Sequence, residues 1–228
     1  MPPFPGSCFD AKTCYNLRRK DMGKHADSVD MRVLKFIKAH PLGWVFTPAH
    51  LSDLGSRNAV ESALRRHKKA GLIRQVARGL YDRPHVHPKF GLLPPNVEGI
   101  AAAFKSRDAI RLQPTGAYAA NLLGLSDQVP MRIVYLTDGP TRKLKIGNLR
   151  ISFRHTTPRN MATAGKSSGL VIQALRWIGQ RQDHQSTVSR LRKLIPANDR
   201  LRLASDAHYA PRWIAQLMHS IAKEEPVK

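Results

Sequence analysis

Basic side chains crowd one short stretch of the sequence, residues 56–70, which holds five lysines and arginines and a single glutamate. Arg57 and Asn58 open this stretch. Arginine offers two parallel donors that match the edge of guanine, and the asparagine amide matches the donor and acceptor on adenine. The lysines and arginines that follow suit phosphate oxygens, which carry no sequence information. The stretch therefore predicts recognition of double-stranded DNA.

The candidate contacts divide by their chemistry. Arg57 and Asn58 are predicted to reach base edges, while Ser56 and Ser62 suit phosphates or bases. Cationic residues further along are predicted to hold the backbone, and Arg78 is placed to reach the backbone or the minor groove. The predicted DNA-binding set is Ser56, Arg57, Asn58, Ser62, Arg65, Lys68, Lys69, Arg74 and Arg78. A merely solvated helix face, or a surface for protein contacts, remains an alternative.

Two helices are needed to position these side chains. Thr47 and Pro48 predict the start of a short first helix, and Gly55 is expected to end it with a positive φ. Ser56 is a typical cap for the longer second helix. Five residues, four of them apolar, recur there at three- and four-residue spacing and predict one buried stripe. Its members are Ala59, Val60, Ala63, Leu64 and His67.

A basic hairpin is predicted directly after the second helix. Gly71 ends that helix, and alternating residues on either side of 77–79 predict two strands around a tight turn with Arg78 at its tip. A capped helix over residues 28–40 precedes the motif, and residues 44–46 predict a short strand that pairs with the hairpin. Helix, turn, helix and basic hairpin together predict a winged helix-turn-helix.

The composition of the whole chain agrees with a polyanionic partner. The 228 residues include 38 Lys and Arg against 16 Asp and Glu, a formal net charge of +22. Such an excess favours binding to phosphates with release of counterions. No apolar run approaches the roughly 20 residues of a membrane span, so we expect no membrane contact. Cys8 and Cys14 lack metal or redox spacing, and two free thiols in a cytoplasmic protein are expected.

The motifs of common enzymes are missing from the sequence. It contains no P-loop, no dinucleotide fingerprint, no HExxH and no GxSxG motif. Asp138 lacks the carboxylate and lysine partners of a metal-dependent nuclease, and Asp206 and His208 are predicted to lie in a loop with a local turn role. His85 and His87 lack a third ligand for a metal. We therefore predict a binding protein with no cofactor and no metal.

The predicted fold class is α+β, with two domains. Residues 1–27 form a tail expected to be flexible, residues 28–83 the winged helix-turn-helix domain, and residues 84–96 a semi-rigid linker with four prolines. Residues 97–228 are predicted to form an α+β domain with a small, mostly antiparallel sheet. Strands are expected over residues 110–113, 132–137, 142–146 and 149–155, and helices over 97–107, 115–123, 169–179, 185–195 and 211–223.

A second basic cluster lies on two of these strands. Between positions 142 and 154 the sequence has no acidic residue. The cluster is predicted either to extend the DNA contact or to bind an acidic protein; a solvated sheet face that blocks aggregation is the alternative. Its members are Arg142, Lys143, Lys145, Arg150 and Arg154.

Two segments resemble one known family. They are LGSRNAVESALRRHKKAGLIRQVARGLYD and LQPTGAYAANLLGLSDQVPMRIVYLTDGPTRKLKIGNLRISFRH, in that order. Together they are similar to the AbiEi-like antitoxins of bacterial AbiE (type IV) toxin–antitoxin systems, over roughly residues 31–179. The second segment is the more specific, since winged helices are common. The tail and the region after about Arg181 depart from the family pattern.

The resemblance implies an antitoxin of phage defence by abortive infection. Its winged domain would repress its own operon at inverted repeats in the promoter, with two copies of the protein per operator. Its C-terminal domain would neutralise a toxin of nucleotidyltransferase type, without a stable complex being required. The alternative is a winged-helix transcription regulator whose second domain senses a ligand or partner.

Overall fold

The chain has an α+β fold, as the sequence predicts. A computed structural model describes residues 28–182 and 184–223. The predicted tail, with Cys8 and Cys14, lies outside the described residues. The N-terminal elements are α1 (Val29–Ala39), β1 (Val45–Phe46), a 3₁₀ helix (Pro48–Leu54), α2 (Arg57–Lys69), β2 (Arg74–Ala77), β3 (Leu80–Asp82), β4 (Val86–His87) and β5 (Gly91–Leu92). The following elements are α3 (Val97–Asp108), β6 (Leu112–Thr115), α4 (Ala117–Leu122), β7 (Arg132–Thr137), β8 (Arg142–Ile146), β9 (Leu149–His155), α5 (Pro158–Met161), α6 (Ser167–Ile178), α7 (Gln185–Leu194), α8 (Ala197–Asp206), a second 3₁₀ helix (Ala207–Tyr209) and α9 (Arg212–Ala222).

Serine caps fix the helices that flank the first turn. The Ser28 hydroxyl accepts from the Met31 amide at 3.3 Å, and the Ser56 hydroxyl accepts from the Ala59 amide at 3.4 Å. Each cap satisfies a backbone donor that would otherwise be unpaired at a helix start. The predicted starts of α1 and α2 are therefore confirmed.

Gly55 is needed for a different reason from the one predicted. Its φ of 160° is extended backbone that any residue can adopt, so the expected left-handed conformation is wrong. A Cβ at this position would lie 2.7 Å from Cγ2 of Val29. Close packing of the turn against α1 therefore excludes a side chain at Gly55.

The three short strands of the N-terminal region form one antiparallel sheet in the order β1–β3–β2. Val45 pairs with Asp82 and Phe46 with Tyr81, so the predicted pairing of residues 44–46 with the hairpin is confirmed. Gly79, with a φ of +68°, completes the tight turn between β2 and β3.

The proline-rich segment 84–96 contains its own strand pair, which was not predicted. β4 and β5 pair antiparallel, with Val86 opposite Leu92 and His87 opposite Gly91. Phe90, at the turn, is largely exposed, as are Val86 and Leu92. The four prolines fall outside both strands, where their missing N–H groups break no ladder bond.

The second sheet has four strands in the order β6–β7–β9–β8. β6 pairs antiparallel with β7, and β8 pairs antiparallel with β9 around the predicted turn at Gly147. β9 lies between β7 and β8 and runs parallel to β7. The prediction of a small, mostly antiparallel sheet is confirmed, and β6 and β8 are its edge strands.

One hydrophobic cluster joins residues 28–83, which we name the winged region, to this sheet. The β2–β3 hairpin of this region is its wing. Val45 and Leu80, from β1 and β3, are buried in the same cluster as Ile100 and Phe104 of α3 and Phe153 of β9. Gly99 lies against Val45, because a Cβ there would come within 3.1 Å of its Cγ2 atom. The region predicted as two domains on either side of a linker therefore shares a core.

The C-terminal helices pack around a core of their own. Leu175, Leu191, Leu203, Ile214 and Met218 are buried together there. Within the described residues, α8 and the second 3₁₀ helix were not predicted, since the sequence ANDRLRLASD is mostly polar and Leu203 is its one fully buried apolar side chain.

Asp206 ends α8 instead of lying in a loop, which corrects the predicted turn role. Its buried carboxylate accepts from the Ser168 hydroxyl at 2.6 Å and from Lys166 Nζ at 3.2 Å. The residue therefore holds α8 against the start of α6. No helix among the described residues is long and apolar enough to cross a bilayer.

The shared core makes a stability prediction. Leu80→Ala removes a fully buried side chain of the winged region, so we expect a loss of about 2–5 kcal/mol in the free energy of unfolding. Because Leu80 also contacts the cluster of the four-stranded sheet, the winged region and the sheet should unfold in one transition that shifts as a whole. Urea unfolding followed by circular dichroism and by tryptophan fluorescence measures this.

Leu201→Ala is the matched control, since Leu201 is 70% exposed and its loss should change stability by less than about 0.5 kcal/mol. Two separate transitions in Leu80→Ala, with only one displaced, would contradict a shared core.

Candidate nucleic-acid interface

Helix α2 has one buried and one exposed face, as the sequence predicts. Val60, Ala63, Leu64 and His67 are buried, and Ala59 is half-buried beside them. The remaining face is open to solvent at Arg57, Asn58, Arg65, Lys68 and Lys69, and Ser62 is half-buried. The residues predicted to contact DNA on this helix therefore share one accessible surface.

Some of these side chains have partners on the same surface. Arg57, whose side chain is 88% exposed, donates from Nε to Glu61 Oε1 at 2.9 Å. Lys68 donates from Nζ to Gln75 Oε1 on β2 at 2.7 Å. Both bonds lie in solvent, where water competes for the same groups, so each bond contributes little and is readily exchanged. Arg57 is thus oriented along the helix but remains available to another acceptor.

A cleft of about 790 Å³ lies between α2 and the β2–β3 hairpin. Four of the predicted contacts line it, namely Arg57, Arg65, Lys68 and Arg78. Arg107, from the C-terminal end of α3, lines it as well and was not predicted. It lies about 40 residues beyond α2 in sequence, and only the shared core brings it to the cleft.

Arg107 is held in a fixed position by its neighbours. It makes two hydrogen bonds to the carboxylate of Asp108, from Nε at 2.8 Å and from Nη2 at 2.9 Å. Its guanidinium carbon also lies 4.5 Å from the centre of the Phe104 ring. Arg142 of β8 donates to the second oxygen of the same carboxylate. The bonds from Arg107, and then from Arg142, hold the pKa of Asp108 below its ordinary value despite partial burial.

Arg74 has a structural role that differs from the predicted one. Its guanidinium pairs with the carboxylate of Asp82, whose side chain is 1% exposed, and donates to the Leu93 carbonyl at 3.1 Å. A buried carboxylate needs this cation. Arg74 therefore ties β2 to β3 and to the segment 84–96, and a phosphate would have to share its guanidinium with these partners.

The second basic cluster is divided by the alternation of the sheet. Lys143 and Lys145 of β8 and Arg150 and Arg154 of β9 are exposed on the face away from the shared core. Arg142 has the opposite parity and lies at the core edge, bound to Asp108, so its place in the predicted cluster is wrong. Arg132 of β7 is exposed and pairs in register with Arg150. It was missed because it lies ten residues earlier in the sequence.

The residues considered for catalysis or metal binding have other surroundings. Asp138 accepts from the backbone amide and from Nε of Arg111, each at 2.8 Å, and these bonds lower the pKa of its carboxyl. His87 and Phe90 rings lie 4.9 Å apart within the β4–β5 hairpin. Within residues 28–182 and 184–223, no three His, Cys, Asp or Glu side chains are grouped as a metal site requires.

The Asp108 carboxylate makes a pH-dependent prediction. In Asp108→Asn a neutral amide faces two guanidinium groups, so we expect a loss of about 1–3 kcal/mol in the free energy of unfolding at pH 7. Because the pKa of Asp108 is lower in the folded than in the unfolded protein, its stabilisation is complete above the unfolded pKa. It is lost as the pH falls through the folded pKa, where wild type and variant should converge.

Urea unfolding of both proteins from pH 7 downward measures that difference. Asp127→Asn, at an exposed position, is the matched control and should leave stability unchanged. A difference between wild type and Asp108→Asn that stayed constant down to the lowest pH would contradict the assigned role.

Comparison with known proteins places the chain in one family. No curated protein matches the sequence. The chain resembles the crystal structure of the RV2827C protein from Mycobacterium tuberculosis with a TM-score of 0.44 and 17% sequence identity, over 83% of this chain and 74% of that one. A family model described as a family of unknown function, DUF6088, matches residues 32–203. Since that match spans the greater part of the chain, the protein belongs to the DUF6088 family.

Proposed function

We propose that this protein is a cytoplasmic DNA-binding antitoxin that represses its own operon through the winged helix-turn-helix. The observation that supports the DNA-binding half most strongly is the accessible N-terminal end of α2. Arg57 and Asn58 are exposed there, beside a cleft lined by Arg65, Lys68 and Arg78. Recognition helices of this kind enter the major groove by their N-terminal residues.

The roles of the side chains follow from their places on the helix. Arg57 exchanges Glu61 for a base edge, with guanine as its natural partner, and Asn58 binds adenine. Arg65, Lys68 and Lys69, further along α2, bind phosphates and set the register of the helix on the duplex. Arg78 and Gly79 form the tip of the wing, which reaches the adjacent backbone or the minor groove.

The antitoxin half of the proposal rests on the sequence resemblance. The segments of this chain that resemble AbiEi-like antitoxins span α2, the wing, and the sheet from β6 to β9. On this basis two copies bind inverted repeats in the promoter, and the C-terminal region neutralises a nucleotidyltransferase-type toxin encoded next to it. A stable complex with the toxin is not required for this action.

The base-contact assignment is tested by comparing two alanine variants. Arg57→Ala should lose about 1–3 kcal/mol of binding to the protein's own promoter and relax the preference at one base pair. Lys69→Ala should weaken promoter and random duplexes alike, with a salt slope smaller by about one unit. Fluorescence anisotropy on both duplexes over a range of salt concentrations measures these effects.

Arg212→Ala is the matched control, because Arg212 is an exposed arginine on α9, far from α2 in the chain. It should bind both duplexes as wild type does. If Arg57→Ala and Lys69→Ala also bind like wild type, the assignment of α2 as the recognition helix is wrong.

The two halves of the proposal are separated by a full-length variant. Arg57→Ala combined with Asn58→Ala alters only exposed side chains, so the fold and the C-terminal region should be retained. We expect this variant to release a promoter reporter from repression and still to restore growth when the neighbouring toxin gene is expressed. Growth and reporter output in the same cells measure the two activities.

Truncation is a poorer test, because Val45 and Leu80 contribute to the core beneath the sheet. A wild-type chain that represses the reporter without restoring growth would overturn the antitoxin half and leave the regulator. Loss of growth rescue in the double variant would show that the winged region takes part in neutralisation.

A further inference from the structure

Five cations share the face of the four-stranded sheet that points away from the shared core. They are Arg132, Lys143, Lys145, Arg150 and Arg154. They line a groove of about 610 Å³, together with Val134 and Ser152, which we name the sheet groove. Among residues 28–182 and 184–223, none of the five has a side-chain hydrogen bond or ion pair, in contrast to Arg74, Arg107 and Arg142.

The register places like charges directly beside one another. Arg132 lies opposite Arg150 across the β7–β9 pair, and Arg150 lies opposite Lys145 across the β8–β9 pair. Like charges that face each other on neighbouring strands destabilise a sheet. Among the outward-facing residues of these three strands, there is no carboxylate to offset the repulsion. The row of Arg132, Arg150 and Lys145 therefore carries an electrostatic repulsion that destabilises the sheet. Such a row indicates a polyanionic ligand, because a bound anion would remove the repulsion.

The dimensions and the side chains of the sheet groove favour phosphates over bases. Strand spacing makes the row from Arg132 to Lys145 about 10 Å wide, and Arg150 and Arg154 are about 13 Å apart along β9. That area matches the roughly 12 Å across which a duplex presents its two backbones at the major groove. No aromatic side chain points outward on β7, β8 or β9, so the stacking platform typical of single-strand binding is absent from these strands.

The wing connects the sheet groove to the predicted recognition helix. Strand β2 contacts β8, and Val76 and Ala77 of the wing pack against the same buried cluster as Leu144 and Ile146. Lys143 and Lys145 alternate with those two residues on β8, at the exposed edge of the sheet. Lys143 and Lys145 therefore lie on the strand that is in contact with the wing.

We propose that the sheet groove is a second backbone-binding surface for duplex DNA, which holds the same duplex beyond the wing. This inference rests on the proposed function, since the winged helix-turn-helix supplies the first contact. The sheet groove contributes affinity without base specificity, because it offers only point charges to phosphates. The protein then covers more DNA than its winged region alone.

Salt dependence on duplexes of two lengths tests the proposal. Each phosphate that a cation neutralises adds about 0.9 to the slope of log K against log salt, independently of how many sites the DNA offers. Random duplexes of about 10 and about 30 base pairs are titrated with the full-length wild type. The slope should be steeper on the long duplex, which alone is long enough for both surfaces.

The test variant is Lys143→Gln, Lys145→Gln and Arg150→Gln combined. On the long duplex its slope should fall by about 2–3 units, towards the wild-type value on the short duplex, since Arg132 and Arg154 remain. The charge-matched control is Lys193→Gln, Arg212→Gln and Lys223→Gln, all at exposed positions of the C-terminal helices, and it should keep the wild-type slope. Melting curves should show the test variant at least as stable as wild type, because it removes repulsion.

Three results would overturn the proposal or its basis. Equal slopes for wild type and the test variant on the long duplex refute the second surface but leave DNA binding by the winged region. Absence of wild-type binding to either duplex refutes the proposed function itself. If the DNA slope is unchanged while labelled poly-glutamate binds wild type and not the test variant, the sheet groove binds acidic polypeptide and the proposal is wrong.

Discussion

Burial of two winged-region side chains, Val45 and Leu80, beneath the four-stranded sheet is the contact on which the rest of the molecule depends. It joins β1 and β3 to Ile100 and Phe104 of α3, and so fixes the wing against the sheet. Without it, the two described regions would be joined by the proline-rich segment 84–96 and by the smaller contact of β2 with β8. With it, the end of α3 is held beside α2, and Arg107 reaches a cleft that its position in the sequence does not suggest.

A fixed wing also changes what the basic surfaces can do. Two charged surfaces on a flexible tether gain from each other only through effective concentration, which falls as the tether becomes longer and looser. Two surfaces on one packed core keep a constant separation. A rigid duplex can therefore contact both at once only where its phosphates have the same separation. The hydrogen bonds from Arg107 and Arg142 to Asp108 link the cleft and strand β8 through a single carboxylate. This carboxylate is therefore the polar counterpart of the shared hydrophobic core.

Local sequence patterns predicted the helices and strands well. Contacts between residues far apart in the sequence were predicted less well. Caps, helical period and turn residues identified α1, α2, the wing and strands β7 to β9, because each depends on neighbours in the chain. The burial of Asp82, which makes Arg74 structural, depends on the packing of β3 and has no local signature. The division of the second basic cluster was nevertheless within reach of the sequence. Strict alternation along β8 separates Arg142 from Lys143 and Lys145, and the same parity selects Arg132 once the register with β9 is known.

The pairing of the carboxylates explains why some basic faces of the molecule have no acidic partner among the described residues. Most of the aspartates in the described regions bind a cation or a hydroxyl that holds two elements together. These are Asp30, Asp82, Asp108, Asp138, Asp199 and Asp206. Since these acids are paired between elements, they leave the cations of the wing tip and of the outward face of the sheet without acidic partners in the part of the chain that the structure describes. Glu61 has a different place, because it lies on the exposed face of α2 and holds Arg57. Under the proposed function, a duplex would have to displace Glu61 from Arg57. A wrong base, which offers the arginine a weaker acceptor than the correct one, would then compete poorly with Glu61.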